Sequence, residues 1–269
     1  MNESNSSLVR MLAVLDAFTS AKYAWTVEEL AAHFGYTAAS TYRYVKALCK
    51  AGLLLRLPRG LYVVGARVIE LESLIRQTDP ITKAGLPILQ DLARETGCDA
   101  LLSNVYGSHL VNVVHEPGVE SLELSYLRGR SLPWFKGAPS KAVLAFLSRN
   151  RVRQLFDTTF GAPADEEYWP AVLKELRAIR KTGYCISLGE LDPDVIGFGA
   201  PVILEDEVIG SISLVCSTQR ARFLNLETIG NALKLHCAAL ACRLSSSEMA
   251  PAARDVPGVS ATPDGARPD

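Results

Sequence analysis

Apolar residues at helical spacing predict two helices near the start of the chain. Residues 8–18 form the first, with these apolar side chains on one face: Leu8, Met11, Leu12 and Leu15. The capping-box pair Thr26 and Glu29 predicts the start of a second helix, which runs to about Phe34. Gly35 is suited to end it in a left-handed conformation.

A third predicted helix has two contrasting faces. It begins after the N-cap Thr37 and ends at about Lys50, where Gly52 closes it. Its apolar stripe, with Thr41 beside it, contains Val45, Leu48 and Cys49. Its second stripe contains Ala39, Arg43, Lys46 and Lys50. Two short helices joined by a glycine-containing turn are typical of a helix-turn-helix, although a basic stripe by itself is as common on a solvated helix face.

Strand-like apolar runs follow the third helix directly. Residues 53–55 and 61–64 flank the turn 56–60, which carries Arg56 and Arg59. A basic hairpin in this position is typical of the wing of a winged helix-turn-helix, whose tip can reach phosphates or the minor groove.

The rest of the pattern predicts an α+β domain. Residues 65–77 form a candidate linker and dimer helix with apolar Val68, Ile69, Leu71 and Leu74, and in the helix 81–96 we expect Leu86, Leu89 and Leu92 to face inward. Strands are predicted at 100–105, 109–115, 122–127, 183–186, 196–204 and 208–215, with a hairpin turn at 203–208. Helices are predicted at 140–147, 152–156, 168–182 and 226–244. Paired strands between helices indicate a largely antiparallel sheet.

These elements divide the chain into four segments. They are a winged helix-turn-helix over 1–65, a linker helix over 66–79, the α+β domain over 80–245 and a disordered tail over 246–269. The tail is rich in proline and has almost nothing to bury.

Charge separates the first segment from the rest. Residues 1–65, which we call the head, carry seven Lys/Arg and four acidic residues, a net charge of +3. The net charge of the whole chain is −1, so the remaining residues sum to −4. We therefore expect only the head to meet a polyanion. No run of 18 apolar residues and no signal-peptide start is present, so we expect a cytoplasmic protein with no membrane partner.

Signatures of catalysis and of metal binding are missing from the sequence. The six cysteines form no C-x-x-C pair, and the four histidines have no ligand spacing. Cys185 or Cys216 with His109 or His115 would be the nucleophile and base of an enzyme, but their spacing does not support it. We predict no enzymatic activity, no cofactor and no metal.

Short motifs in both halves of the chain resemble the IclR family of bacterial regulators. The N-terminal motifs are Ser7-Leu8-Val9-Arg10, Val14-Leu15-Asp16, Glu29-Leu30-Ala31, Ser40-Thr41-Tyr42-Arg43 and Tyr62-Val63-Val64-Gly65. The C-terminal motifs include Glu95-Thr96-Gly97, Gly129-Arg130, Lys141-Ala142, Gly183-Tyr184 and Ala200-Pro201-Val202. Each is weak alone, but their order over residues 7–245 makes the match specific.

The resemblance implies a winged helix-turn-helix, a linker helix and a GAF-like effector domain. It also implies a homodimer or homotetramer that binds double-stranded operator DNA, with the third helix in the major groove. Base edges would be met by Ala39, Ser40, Tyr42 and Arg43, and phosphates by Lys46, Lys50, Arg56 and Arg59. Arg43 could read a guanine or hold a phosphate, and the sequence leaves both open. Thr41 and Tyr42 could instead pack on the second helix.

A small-molecule effector is implied in the C-terminal domain. Carried over residue by residue, its contacts are Ala138, Pro139, Ser187, Val195, Gly197, Ser213 and Val215, to which we add Trp134. Ser187 stands where the family often has an acid, and Val215 where it has a serine. These departures predict a less polar pocket for an organic or aromatic acid, unless Trp134 and Phe135 pack under the sheet or no effector binds.

One alternative is a sensory or scaffold protein whose winged helix contacts protein rather than DNA. Basic residues on both the third helix and the wing argue against it. The sequence leaves open the effector, the operator, the sign of regulation and the number of subunits.

Overall fold

The computed structural model describes residues 6–120, 122–161 and 168–246. It divides into two compact units, Met1–Asp79 and Pro80–Asp269. After Ser246, the tail predicted to be disordered lies outside the described residues.

In its described residues, the N-terminal unit contains four helices and a two-stranded antiparallel sheet. They are α1 Ser7–Ala13, α2 Val27–Phe34, α3 Ala38–Lys50, β1 Leu54–Arg56, β2 Tyr62–Val64 and α4 Arg67–Thr78, with a 3-10 turn at Val14–Ala17 after α1. The predicted capping box is confirmed, since Glu29 N donates to Thr26 Oγ1 at 3.2 Å and Thr26 N donates to Glu29 Oε2 at 2.8 Å. Gly35 ends α2 with φ +67°, also as predicted.

Trp25 ties the wing to the helices. Its backbone forms an antiparallel bridge with Tyr62, with N···O distances of 3.0 and 2.8 Å, and its indole donates to Ala17 O at 2.9 Å. The core around it contains Val14, Ala17, Leu30, Tyr44, Val45, Leu48, Leu54 and Tyr62. Thr41 is fully buried, whereas Tyr42 is 51% exposed, so only the first of these two packs inside. The hairpin β1–β2 is thereby fixed beside α3.

Helix α4 presents apolar side chains to the outside. Val68, Ile69, Leu71, Leu74 and Ile75 are all more than a third exposed. Within the described part of the chain, none of the residues of α4 is buried.

The C-terminal unit is an α+β domain built on a six-stranded antiparallel sheet, which confirms the predicted fold class. Its helices are α5 Pro80–Thr96, α6 Ala138–Leu144, α7 Arg149–Phe160, α8 Tyr168–Thr182, α9 Thr218–Ala221 and α10 Leu226–Ser245. Its strands are β3 Asp99–Tyr106, β4 His109–Glu116, β5 Ser131–Leu132, β6 Cys185–Leu188, β7 Val195–Leu204 and β8 Glu207–Ser217. The strand order is β5-β4-β3-β8-β7-β6.

Helices cover both faces of this sheet. Helices α5 and α10 pack on one face, where Leu89, Leu92, Leu233, Leu240, Phe198, Ile212 and Leu214 are buried. Helix α6 lies against the other face at β7. A Cβ on Gly199 would lie 2.7 Å from the backbone C and O of Ala138, so glycine lets the helix approach this closely. This approach positions the start of α6 at the site described below.

The strand predicted at residues 122–127 is wrong. Side chains rather than a neighbouring strand bind this segment: Ser125 N donates to the Asp192 carboxylate at 3.1 and 3.2 Å, and Asn112 Nδ2 donates to Tyr126 O at 2.6 Å. The edge of β4 pairs instead with the short β5, which the pattern did not predict.

One residue of α5 faces the opposite way from the prediction. Leu89 and Leu92 are fully buried, but Leu86 is 38% exposed. A second face of α5 therefore reaches the surface of this unit.

Candidate DNA-binding surface and effector cavity

The outward face of α3 carries the residues predicted to meet DNA. Ala39, Tyr42, Arg43, Lys46 and Lys50 are exposed, and Ser40 is half-buried. Ser40 N donates to the capping hydroxyl of Thr37 at 3.2 Å, and Ser40 Oγ accepts from that hydroxyl at 3.0 Å. The proton of the Ser40 hydroxyl thus stays available at the N-terminal end of α3.

The cations of α3 and the wing have no acidic partners in the described part of the chain. Arg43, Lys46, Lys50, Arg56 and Arg59 are exposed, and none forms an ion pair with another described residue. Their charge is uncompensated, which produces the positive potential that a phosphate backbone requires.

The wing tip holds a strained arginine. Arg59 has φ +63° within the 3-10 turn Pro58–Gly60, and Leu57 N donates to Leu61 O at 2.7 Å below it. A left-handed conformation costs a residue other than glycine about 1 kcal/mol. Glycine would fit this turn more easily than arginine does.

A cavity of about 40 Å³ lies between the start of α6 and the sheet, with room for about three water molecules. Seven of the eight predicted effector residues line it: Ala138, Pro139, Ser187, Val195, Gly197, Ser213 and Val215. Register explains their convergence, because Ser187 pairs with Gly197, and Gly197 pairs with Val215. These three therefore form a row across β6, β7 and β8.

Other lining residues were not predicted. They are Leu101, Asn112, Leu124, Tyr126, Leu132, Glu190, Leu191 and Asp192. The sequence contained a signal for Asn112, because it is a polar residue within the apolar run 110–114. In the structure this side chain is buried. Leu124 and Tyr126 belong to the segment 122–127, which covers the cavity and which we call the cover.

Two hydroxyl groups face the cavity differently. Ser187 Oγ accepts from Ala138 N at 2.9 Å, which leaves its own proton for another partner. Ser213 is buried, and its hydroxyl makes no hydrogen bond with any described residue. Both groups can bind a polar part of a ligand.

An ion-pair network forms one wall. Glu190 Oε2 accepts from Gly137 N at 2.8 Å, and Lys141 Nζ donates to Glu190 Oε1 at 2.7 Å and to Glu175 Oε1 at 2.8 Å. Burial alone would lower the pKa of Lys141, but these two carboxylates outweigh it and raise the pKa. Lys141 is therefore charged at neutral pH and holds Glu190 at the wall.

Trp134 is the one predicted effector residue that does not line the cavity. Its indole donates to Ser108 O at 2.8 Å. Phe135 packs on Phe156 and Phe160, with ring centroids 5.6 and 5.4 Å apart. The expected aromatic lining from these two residues is absent, because both rings fill space elsewhere.

A wider surface groove, about 740 Å³ in volume, lies beside α8 and contains none of the predicted effector residues. Two of its arginines are already bonded to backbone: Arg180 Nε donates to Ala145 O at 2.6 Å and Arg151 Nη2 to Gly107 O at 2.8 Å. These side chains stabilise the fold of the groove wall.

Cys185 and His115 were among the residues considered for catalysis. Burial raises the pKa of the Cys185 thiol to about 12, and His115 Nε2 lies 2.7 Å from Asp99 Oδ2. Across residues 6–120, 122–161 and 168–246, no group of side chains could hold a metal ion. No helix in these ranges is long and apolar enough to cross a membrane.

Known proteins share this two-part organisation. Residues 7–58 match the IclR helix-turn-helix domain, and residues 74–238 match the C-terminal domain of the bacterial transcriptional regulator IclR. The HTH-type transcriptional regulator KipR of Bacillus subtilis (strain 168) is 28% identical over 80% of this chain and 87% of that protein.

Solved structures have the same fold. An IclR family transcriptional regulator from Brucella abortus matches with a TM-score of 0.75 and 21% identity, over 88% of this chain and 91% of that one. An IclR homologue from Microbacterium hydrocarbonoxydans, complexed with 4-hydroxybenzoate, matches with a TM-score of 0.72 and 18% identity, over 90% and 100%.

These matches decide between the alternatives left open by the sequence. The C-terminal match alone spans more than half of the chain, and both matched domains belong to transcriptional regulators rather than to enzymes or scaffolds. The chain belongs to the IclR family of DNA-binding transcriptional regulators, with a helix-turn-helix domain and an effector-binding domain.

Proposed function

We propose that an organic acid with an apolar or aromatic body binds in the cavity under the cover and changes the affinity for operator DNA. The carrying observation is the convergence of seven predicted contacts from α6, β6, β7 and β8 around one space. Most of its walls are apolar, with the Ser187 and Ser213 hydroxyls available to a carboxylate. The relative complexed with 4-hydroxybenzoate supports this ligand class.

Ligand binding must open the cover. Ligand pockets usually measure about 300–1,000 Å³, far above the about 40 Å³ present here. The bonds of Ser125 to Asp192 and of Tyr126 to Asn112 attach the cover to the rest of the domain. A ligand that displaces this segment favours one state of the domain, and such coupling is typically worth about 1–3 kcal/mol.

Calorimetry with the full chain tests the ligand class. We expect 4-hydroxybenzoate to bind more tightly than glyoxylate. Gly197→Val should weaken binding at least about tenfold, because the valine side chain would extend into the cavity beside Ser187 and Ala138. Ile203→Val, on the same strand outside the cavity, is the control. Tighter binding of glyoxylate, or an unchanged affinity in Gly197→Val, would contradict the proposal.

We propose that α3 contacts base edges and that the wing positions the domain on the backbone. Ala39, Ser40, Tyr42 and Arg43 would face the bases, and Lys46, Lys50, Arg56 and Arg59 the phosphates. Their exposure and the unpaired charges support this assignment. We place the protein in the cytoplasm because its proposed partner is chromosomal DNA.

Fluorescence anisotropy on DNA from the upstream region of its own gene tests this assignment. Arg43→Ala should cost about 1–3 kcal/mol of operator binding. Arg222→Ala removes an exposed arginine of the C-terminal unit and should leave the affinity unchanged. If Arg43→Ala bound operator DNA with the wild-type affinity, Arg43 would not be part of the interface.

We also propose that α4 contributes to a homodimer, which can pair into a homotetramer. Five exposed apolar side chains on one short helix support this proposal, because burying them would remove apolar surface from water. Sedimentation velocity should show a dimer or tetramer that Ile69→Asp dissociates. A wild-type monomer over the whole concentration range would contradict it.

A further inference from the structure

Two reduced cysteines meet where β3 begins and β8 ends. Asp99 pairs with Val215, so the next position outward places Cys98 opposite Cys216. Both are free thiols, 1% and 0% exposed. Facing residues on antiparallel strands have Cα atoms about 4.5–5.5 Å apart, within the about 4.4–6.8 Å that a disulfide spans. Cys98 directly precedes β3, so the register of β3 with β8 brings the two cysteines to facing positions.

An arginine lies beside this pair. The Arg220 guanidinium occupies the space next to Gly97, where a side chain would collide with it, and Nη2 donates to Thr96 O at 2.6 Å. Its Nε is buried and has no hydrogen-bond partner among the described residues. A buried donor without an acceptor is costly, and an adjacent thiolate is an acceptor that would satisfy it.

The two thiols differ in acidity. The hydrogen bond from Cys216, together with Thr96 and Arg220, outweighs burial and lowers the pKa of Cys98 to about 7. Conversely, the neighbouring Cys98 and burial raise the pKa of Cys216. Cys98 is therefore the more acidic thiol of the pair and the one that forms the thiolate, while Cys216 keeps its proton.

We propose that Cys98 and Cys216 are a redox modification site that forms a reversible disulfide with a hydroperoxide as oxidant. The Cys98 thiolate attacks the terminal peroxide oxygen and breaks the O–O bond, which gives a sulfenic acid and an alcohol or water after protonation. Cys216 Sγ then attacks the sulfenic sulfur, and its proton leaves with the hydroxide as water. In sum, two thiols and one hydroperoxide give a disulfide, an alcohol or water, and a second water.

The surroundings favour this pair over the other cysteines. Gly118 packs directly on the backbone of Cys98, and its neighbour Val119 is 72% exposed, so the pair lies close beneath the surface. Burial raises the pKa of both Cys185 and Cys237 to about 12, which keeps them protonated. Cys242 is exposed and serves as an internal control for non-specific oxidation.

Peptide mapping of the full-length protein tests the site. After treatment of the reduced protein with one equivalent of hydrogen peroxide, we expect a Cys98–Cys216 cross-linked peptide that dithiothreitol cleaves. Cys216→Ala should leave Cys98 as a sulfenic acid that dimedone traps, and Cys242→Ala should behave as wild type. Oxidation of wild type at Cys242 alone, or at Cys98 to sulfinic acid without the cross-link, would overturn the proposal.

A pH profile tests the role of Arg220. Alkylation of Cys98 by iodoacetamide in wild type should reach half its maximal rate near pH 7. Arg220→Gln should slow it at pH 7 by at least about twofold, because the thiolate loses its cation. A wild-type midpoint near pH 9 would overturn the assignment of Cys98 as the attacking thiol, whether or not the variant folds.

Discussion

The candidate functional residues lie on an outer surface in the N-terminal unit and around a cavity in the C-terminal unit. In the N-terminal unit, the proposed DNA contacts point away from the core, and all of them belong to α3 and the wing. In the C-terminal unit, the cavity lies between the sheet and α6 and draws its walls from α6, six strands and two loops. A surface site built on one helix follows from local periodicity, whereas an internal site depends on which distant segments meet.

Charge follows the same division. The cations of α3 and the wing are exposed and form no ion pair with the residues that the structure describes, so they can exchange counterions for phosphates. In the C-terminal unit, Lys141 is held between Glu175 and Glu190, with only 11% of its side chain exposed. The first arrangement favours binding of an external polyanion, and the second stabilises a wall.

Truncating a core side chain of the N-terminal unit should have the largest effect on stability. It should also show whether the two units unfold independently. Leu48 is 1% exposed, so Leu48→Ala should destabilise the N-terminal unit by about 2–5 kcal/mol. Hydrogen exchange should accelerate in α2 and α3 and stay unchanged in β7 and β8. Leu55→Ala, at a 54% exposed position, is the control. Equal loss of protection in β8 would show that the units do not unfold separately.

Two alanine substitutions on β7, at Gly199 and Gly197, test how closely α6 packs on the sheet of the C-terminal unit. Gly199→Ala places a Cβ 2.7 Å from the backbone of Ala138 and should cost about 1–3 kcal/mol in urea unfolding. Gly197→Ala meets Ser187 Oγ at 3.1 Å and otherwise ordinary contacts, so we expect less than about 1 kcal/mol. Equal losses would mean that α6 shifts freely over β7.

The smallest expected change in stability is at the wing tip, and it has the opposite sign. Arg59→Gly relieves a left-handed conformation and should leave stability unchanged or raise it by up to about 1 kcal/mol. The same variant should bind DNA more weakly, with the slope of log K against log salt reduced by about one. An unchanged slope would exclude a phosphate contact. Lys83→Ala, an exposed lysine of the C-terminal unit, is the control.

Sequence reasoning failed where distant side chains replace local bonding. The alternation of residues 122–127 resembles a strand. In the structure, this segment is bound by the side chains of Asp192 and Asn112 and pairs with no neighbouring strand among the described residues. Trp134 was placed at the cavity because an aromatic pair occupies a position near family effector contacts. Its indole instead reaches Ser108, which no local pattern indicates. Cys98 and Cys216 likewise meet only through the register of β3 with β8.

The sequence alone determined the helix-turn-helix, the wing and the antiparallel α+β domain. Caps such as Thr26 and Gly35 and the periodicity of α3 act within a few residues, so they are visible in the chain itself. The tertiary structure decided the cover, the cavity walls and the cysteine pair. These depend on strand register and on the close approach of α6 to Gly199, and both arise only when segments far apart in sequence pack together.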